Sequence, residues 1–178
     1  MKLQLTMWPQ RTTLLLIAFS ALAAMQPVRA DEYNIYGFID TMNCVGTPGP
    51  VVQGFAVFSF SFGDKNPSSA SSGAGASRPT FLDVTVVKGL DDCTPFLFGA
   101  VSTGKHFKKA TLTAVPKGSS TAVLLIELDT VLVTSDKFNE GDPNELDEVI
   151  TLSYGKITIT HVPSGKSVVC TVTNGSCS

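Results

Sequence analysis

Ala56-Val57-Phe58-Ser59-Phe60-Ser61-Phe62 alternates without a break, setting Phe58, Phe60 and Phe62 on one face and Val57, Ser59 and Ser61 on the other. A period of two, rich in aromatics, belongs to a half-buried β-strand; a helix repeats its apolar positions every three or four residues. The same rhythm continues outward. Leu82, Val84 and Val86 alternate with Asp83, Thr85 and Val87. Within Ala122 to Val133, Leu124, Ile126, Leu128 and Leu132 oppose Glu127 and Asp129, as in an antiparallel strand with one wet face. From Val149 to His161, Ile150, Leu152 and Tyr154 point inward, and the pattern resumes one residue late with Ile157 and Ile159. Such a slip would turn every later side chain outward, so a β-bulge is predicted at Gly155. Strands at Tyr33 to Ile39, Thr111 to Val115 and Val168 to Val172, the last with Cys170 facing the core, bring the set to about seven. The fold class expected is all-β: a small antiparallel β-barrel or sandwich of two sheets.

One segment breaks the period. Thr94 can cap a helix, Pro95 fits its first turn and Gly104 fits the left-handed stop. Phe96, Leu97, Ala100 and Val101 would share a face, and Asp91 and Asp92 precede the positive end. One short α-helix on the side of the barrel is the reading. Pro67 to Ser77 is low-complexity and too poor in apolar residues to fold alone. Ser135 to Glu148 reads as an acidic loop, with Asp136, Glu140, Asp142, Glu145, Asp147 and Glu148 against Lys137 alone.

At the start, Lys2 and Arg11 flank the apolar run Thr12 to Ala24, and Val28 and Ala30 suit a cut after Ala30. This is the pattern of a secretory signal peptide over residues 1–30. Its apolar run falls short of the ~20 residues a spanning helix needs, so no stable membrane insertion is expected after cleavage. Residues 31–178 then form one domain. The leader holds three of the thirteen basic residues and none of the fifteen acidic ones, leaving a net charge of −5. That balance argues against nucleic acid as a partner. Lys105-His106-Phe107-Lys108-Lys109 reads as a solvated strand start.

All four cysteines, Cys44, Cys93, Cys170 and Cys177, lie after the leader, and an even count in an exported chain points to two disulfides. Spacing alone leaves three pairings open. Cys170–Cys177 with Cys44–Cys93 is favoured, because the first pair would clip the tail through the Asn174-Gly175 turn.

Catalytic and metal signatures are sparse. Counted from Asp136, the acidic segment places Glu140, Gly141 and Asp147 as a calcium loop would, but Phe138 stands where an oxygen ligand is needed. There is no G-x-S-x-G turn, and nothing ties His106 or His161 to a nucleophile. No phosphate-binding glycine motif is present, and no catalytic residue, metal ligand or cofactor is assigned. Asn174-Gly175-Ser176 is a glycosylation sequon, relevant only in a eukaryotic source.

The order of segments resembles the haemolysin-coregulated protein (Hcp) family, the tube-forming proteins of type VI secretion. The matching stretches are Phe55 to Gly63, a Gly/Ser-rich loop, Phe81 to Lys88, Thr94 to Phe98, Ser102 to His106, Ala110 to Thr113, Ile126 to Thr134 and Glu148 to Ile157. Together they run from about Tyr33 to Pro163, leaving a cysteine-containing tail, residues 164–178. The resemblance implies a non-catalytic assembly protein: a two-sheet barrel with one side helix, hexameric rings stacking into a hollow tube, and small effector proteins as cargo. It also implies that the loop after the Phe-rich strand, here Asp64, Lys65 and Asn66 through Arg78, helps rings meet. The chain departs from that pattern in its leader, its four cysteines and its tail, and a protein sent out by the general export route cannot join a cytoplasmic tube. Its place is expected to be periplasmic or extracellular. Two other readings are an exported monomeric binding module on the same barrel and, more remotely, a small secreted hydrolase.

Overall fold

In the computed structural model, residues 33–42, 44, 54–66, 78–142 and 145–178 are described. Among them the β-formers condense into eleven strands: β1 (Tyr33–Ile39), β2 (Phe55–Val57), β3 (Ser59–Ser61), β4 (Asp64–Lys65), β5 (Thr80–Phe81), β6 (Val84–Gly89), β7 (His106–Pro116), β8 (Leu124–Asp142), β9 (Glu145–His161), β10 (Lys166–Thr171) and β11 (Ser176–Cys177). The helix α1 (Thr94–Thr103) lies between β6 and β7. The expected leader, residues 1–30, and residues 67–77 fall outside the described residues.

Nine strands form one sheet in the order β11-β10-β9-β8-β7-β1-β2, with β6 also paired to β9 and β3 to β6, while β4 and β5 make a separate ribbon. Only Phe58 separates β2 from β3, so the β2 end of the sheet and the branch through β6 meet there. The sheet rolls into a barrel-like body whose ladder does not close.

Phe58 departs from the simple alternation. Phe55 and Val57 are buried and Phe58 is half exposed, because the strand leaves β1 and joins β6 at this residue. The Phe58 N–H donates to Val87 O at 2.8 Å, and the turn resets which face points inward.

The slip near Gly155 takes a different form from a one-sided bulge. On β8 the buried pair Ile126 and Leu128 gives way to Val131 and Val133, so that strand slips at Thr130, whose φ is 57°. Both strands therefore change face opposite each other, and the register is the same on either side, from Asp129↔Lys156 to Val131↔Tyr154. Gly155 marks the point where β9 exchanges β6 for β10 as its second neighbour. A Cβ there would sit 3.3 Å from that of Thr130, closer than such atoms normally approach. The register does shift between Val133 and Ser135, where β8 holds one extra residue.

The expected acidic loop is for the most part not a loop. β8 runs to Asp142 and β9 begins at Glu145, so 135–142 and 145–148 are the far half of a long hairpin, extended because the two strands pair with each other along it.

The helix ends as its sequence suggests, at Gly104 with φ 62°, but it starts from Cys93, which makes no side-chain cap bond, with Thr94 already inside it. Leu97 and Ala100 are buried and Val101 packs against the core, whereas Phe96 is half exposed. Leu82 and Leu132 likewise stay outside the buried set, and Val131 and Val133 take the inward places of β8. One disulfide joins Cys44, just after β1, to Cys93 at the start of α1, both buried. The other joins Cys170 to Cys177, which face each other across β10 and β11.

Candidate assembly surface

β6 sends Val84 and Val86 into the core, and the same alternation brings Lys88 there with no solvent exposure. A buried ammonium is costly unless its three donors are satisfied. The β6–β9 register places Glu148 directly opposite, and Lys88 Nζ lies 2.5 Å from Glu148 Oε2, both side chains fully enclosed. The ammonium also donates to Gly89 O at 2.8 Å and approaches Asp91 Oδ1 to 2.9 Å. Thr94 Oγ1 donates to Glu148 Oε2 at 2.6 Å, and Asp91 Oδ1 accepts the Cys93 N–H at 2.8 Å. The start of α1 is thus tied to β6 and β9 through one buried charge pair.

The extra residue in β8 adds a third carboxylate. Beyond it Asp136 lies opposite Ile150 and Phe138 opposite Glu148, so both sit on the face that holds the ion pair. Both Asp136 carboxyl oxygens and Glu148 Oε1 are buried with no hydrogen-bond partner. Burial first, then the negative charge of Glu148, pushes the Asp136 carboxyl up to about 6, with Lys88 pulling the other way.

Above this charged layer the surface is apolar. The rings of Phe98 on α1 and Phe138 on β8 lie 6.3 Å apart, centre to centre. Leu146 precedes Glu148 by two residues and shares its ladder face, within diagonal reach of Phe138. These three, together with Leu90 before α1 and Phe96 on it, are each about half exposed. Apolar groups gathered in this way on a soluble protein mark an interaction surface. Next to them, no strand pairs with the outer edge of β8 beyond Leu132 among the described residues. A long unpaired strand edge is a template for another chain.

The residues singled out from the sequence are spread more widely. Asp64 and Lys65 form β4 and pair with Phe81 and Thr80 of β5, so the two ends of the Gly/Ser-rich loop stand side by side. Asn66 is exposed next to them. Arg78 reaches the tail, donating to Val172 O at 3.3 Å and to Thr173 O. His106 opens β7 on the surface, and His161 Nδ1 lies 2.8 Å from Ser164 Oγ, an i, i+3 contact inside one turn. The acidic residues of 135–148 are divided between two strands, and Glu148 is committed to Lys88. Among the described residues no group of three or more His, Cys, Asp or Glu could hold a metal ion, and no helix is long and apolar enough to cross a membrane. Lys88 and the aromatic cap over it escaped sequence reading. The signal was present in Val84-Thr85-Val86-Val87-Lys88, whose period of two already points the lysine inward.

The family model described as "Type VI secretion system effector, Hcp" matches residues 53–161. The protein hcp1 of Pseudomonas aeruginosa is 34% identical over 84 residues, 46% of this chain and 52% of that protein, so the match spans about half of the relative's length. Among solved structures, one titled as a type six secretion system protein has a TM-score of 0.71 at 18% identity, covering 82% of this chain and 99% of that one. Hcp1 from Salmonella typhimurium has a TM-score of 0.67 at 17% identity, covering 80% and 96%. At those identities the likeness to solved structures establishes the fold.

Proposed function

This chain belongs to the Hcp family of type VI secretion systems, and on that footing we propose that it is a non-catalytic assembly protein, exported by its leader and built into hexameric rings outside the cytoplasm. The observation that carries the ring is the exposed layer of Phe98, Phe138 and Leu146 beside the unpaired outer edge of β8. A closed ring needs two different surfaces on each copy, and an open strand edge with an apolar flank supplies one of them. Small effector proteins are its cargo. Asp64 to Arg78 helps successive rings meet, and Arg78 fixes one end of that segment to the disulfide-clipped tail. Both disulfides suit an oxidising space, and cleavage after Ala30 makes Asp31 the first residue.

The test is the mass of the oxidised, processed protein by size-exclusion chromatography with light scattering. A particle of six protomer masses is expected, falling to smaller species when Phe138→Ser removes the apolar flank. A monomer over a wide concentration range would overturn the ring and leave a single barrel acting as a binding module. N-terminal sequencing of the exported protein is expected to begin at Asp31; an intact Met1 would overturn the export assignment.

A further inference from the structure

Three carboxylate oxygens without partners are crowded beneath α1. Asp136 Oδ1 and Oδ2 come from β8 and Glu148 Oε1 from β9. Among the described side chains, the charged groups facing them from the packed elements are few. β6 contributes Lys88, the turn before α1 contributes Asp91, and β9 contributes Glu148; α1 itself adds only the neutral hydroxyl of Thr94. Lys137 and Asp147 belong to the opposite face of the hairpin, since the register sets them against Val149 and Asn139. One ammonium therefore faces three carboxylates, and two of the three have oxygens that nothing donates to. An ionised carboxylate can only accept hydrogen bonds, so two of them side by side cannot satisfy one another; adding one proton turns one into a donor.

We propose that Asp136 holds a proton and donates it in a hydrogen bond to Glu148 Oε1, and that its loss on raising the pH loosens α1 and the far half of the β8–β9 hairpin. The proton gives Glu148 Oε1 a partner and leaves two ionised carboxylates, Glu148 and Asp91, around the one ammonium. Without it three carboxylates face that single ammonium, a second uncompensated negative charge beneath α1. The direction follows from linkage. Asp136 is raised from 3.8 to about 6 in the folded chain, so between those values the folded state keeps a proton that the unfolded state has released. The stabilisation is complete below the unfolded value and is lost as the pH rises through about 6. The cluster lies under Phe98 and Phe138, so the proton also sets how firmly the proposed assembly surface is held. That consequence alone rests on the ring reading; the proton itself is a property of one protomer.

The experiment uses the oxidised protein and reads the cluster directly. Carbon-13 NMR of the side-chain carboxyls is expected to show Asp136 titrating near pH 6. Hydrogen exchange of the α1 amides, corrected for its intrinsic base dependence, is expected to rise several-fold between pH 5 and 7.5. In Asp136→Asn, which copies the protonated group, that rise should disappear. An Asp136 titration below pH 4.5 would overturn the proposal, as would equal pH dependence of α1 exchange in the two proteins. Neither reading depends on how many copies assemble, so failure of the hexamer would leave this result standing.

Discussion

Replacing Lys88 by methionine removes an enclosed charge and its donors while nearly keeping the side-chain volume. Glu148 would then remain at zero exposure with only the Thr94 hydroxyl, 2.6 Å away, as a donor. Removing one member of a buried ion pair costs about 3–5 kcal/mol, mostly from the charge left behind. Protonating an ordinary glutamate at pH 7 costs about 3.7 kcal/mol, and that route caps the loss. The expected destabilisation is therefore about 3–4 kcal/mol, measured by urea unfolding with an unchanged slope. Adding Glu148→Gln to Lys88→Met removes the orphaned charge, so the double variant should lose at least about 1 kcal/mol less than the sum of the single losses. Lowering the pH to 5 should shrink the loss in the single Lys88→Met variant, since protonation becomes cheaper. A Lys88→Met loss under about 1 kcal/mol, or additivity within about 0.5 kcal/mol, would refute the view that this pair is a coupled unit anchoring α1.

The two disulfides should differ in weight. Their sequence separations are 49 and 7 residues, which in the chain-entropy account correspond to about 4 and about 2.5 kcal/mol. Cys44→Ser/Cys93→Ser should thus lower the urea midpoint more than Cys170→Ser/Cys177→Ser, and the reverse order would contradict that account. Gly37 lies opposite Phe55, and a Cβ there would come within 2.3 Å of the Phe55 ring, which is buried. Gly37→Ala should therefore cost about 1–3 kcal/mol by overpacking, seen as a lower melting temperature; an unchanged one would mean that the ring has room to move.

Much of the fold is legible because burial imposes its period on the chain. The alternations of Val84 and Val86, of Ile126 and Leu128, and of Ile150 and Leu152 each define a strand and its inner face without reference to any other strand. The helix from Thr94 to the stop at Gly104 is equally local. The assembly surface was legible in pieces only. Phe98 and Phe138 are forty residues apart, and no local pattern says that their rings meet.

What the sequence determines alone is whatever depends on neighbours along the chain: strand periods, the helix stop and the even count of cysteines. The tertiary structure decided the rest at three places where strand pairing changes. Phe58 turns outward because its strand passes from β1 to β6. Gly155 and Thr130 slip together because β9 passes from β6 to β10. The extra residue between Val133 and Ser135 turns Asp136 inward and Lys137 outward. Plain alternation after Val133 would have sent Ser135 and Lys137 inward instead. Face inversions of this kind come from pairing geometry between distant strands, which is why the charged layer under α1 is visible only once the sheet has formed.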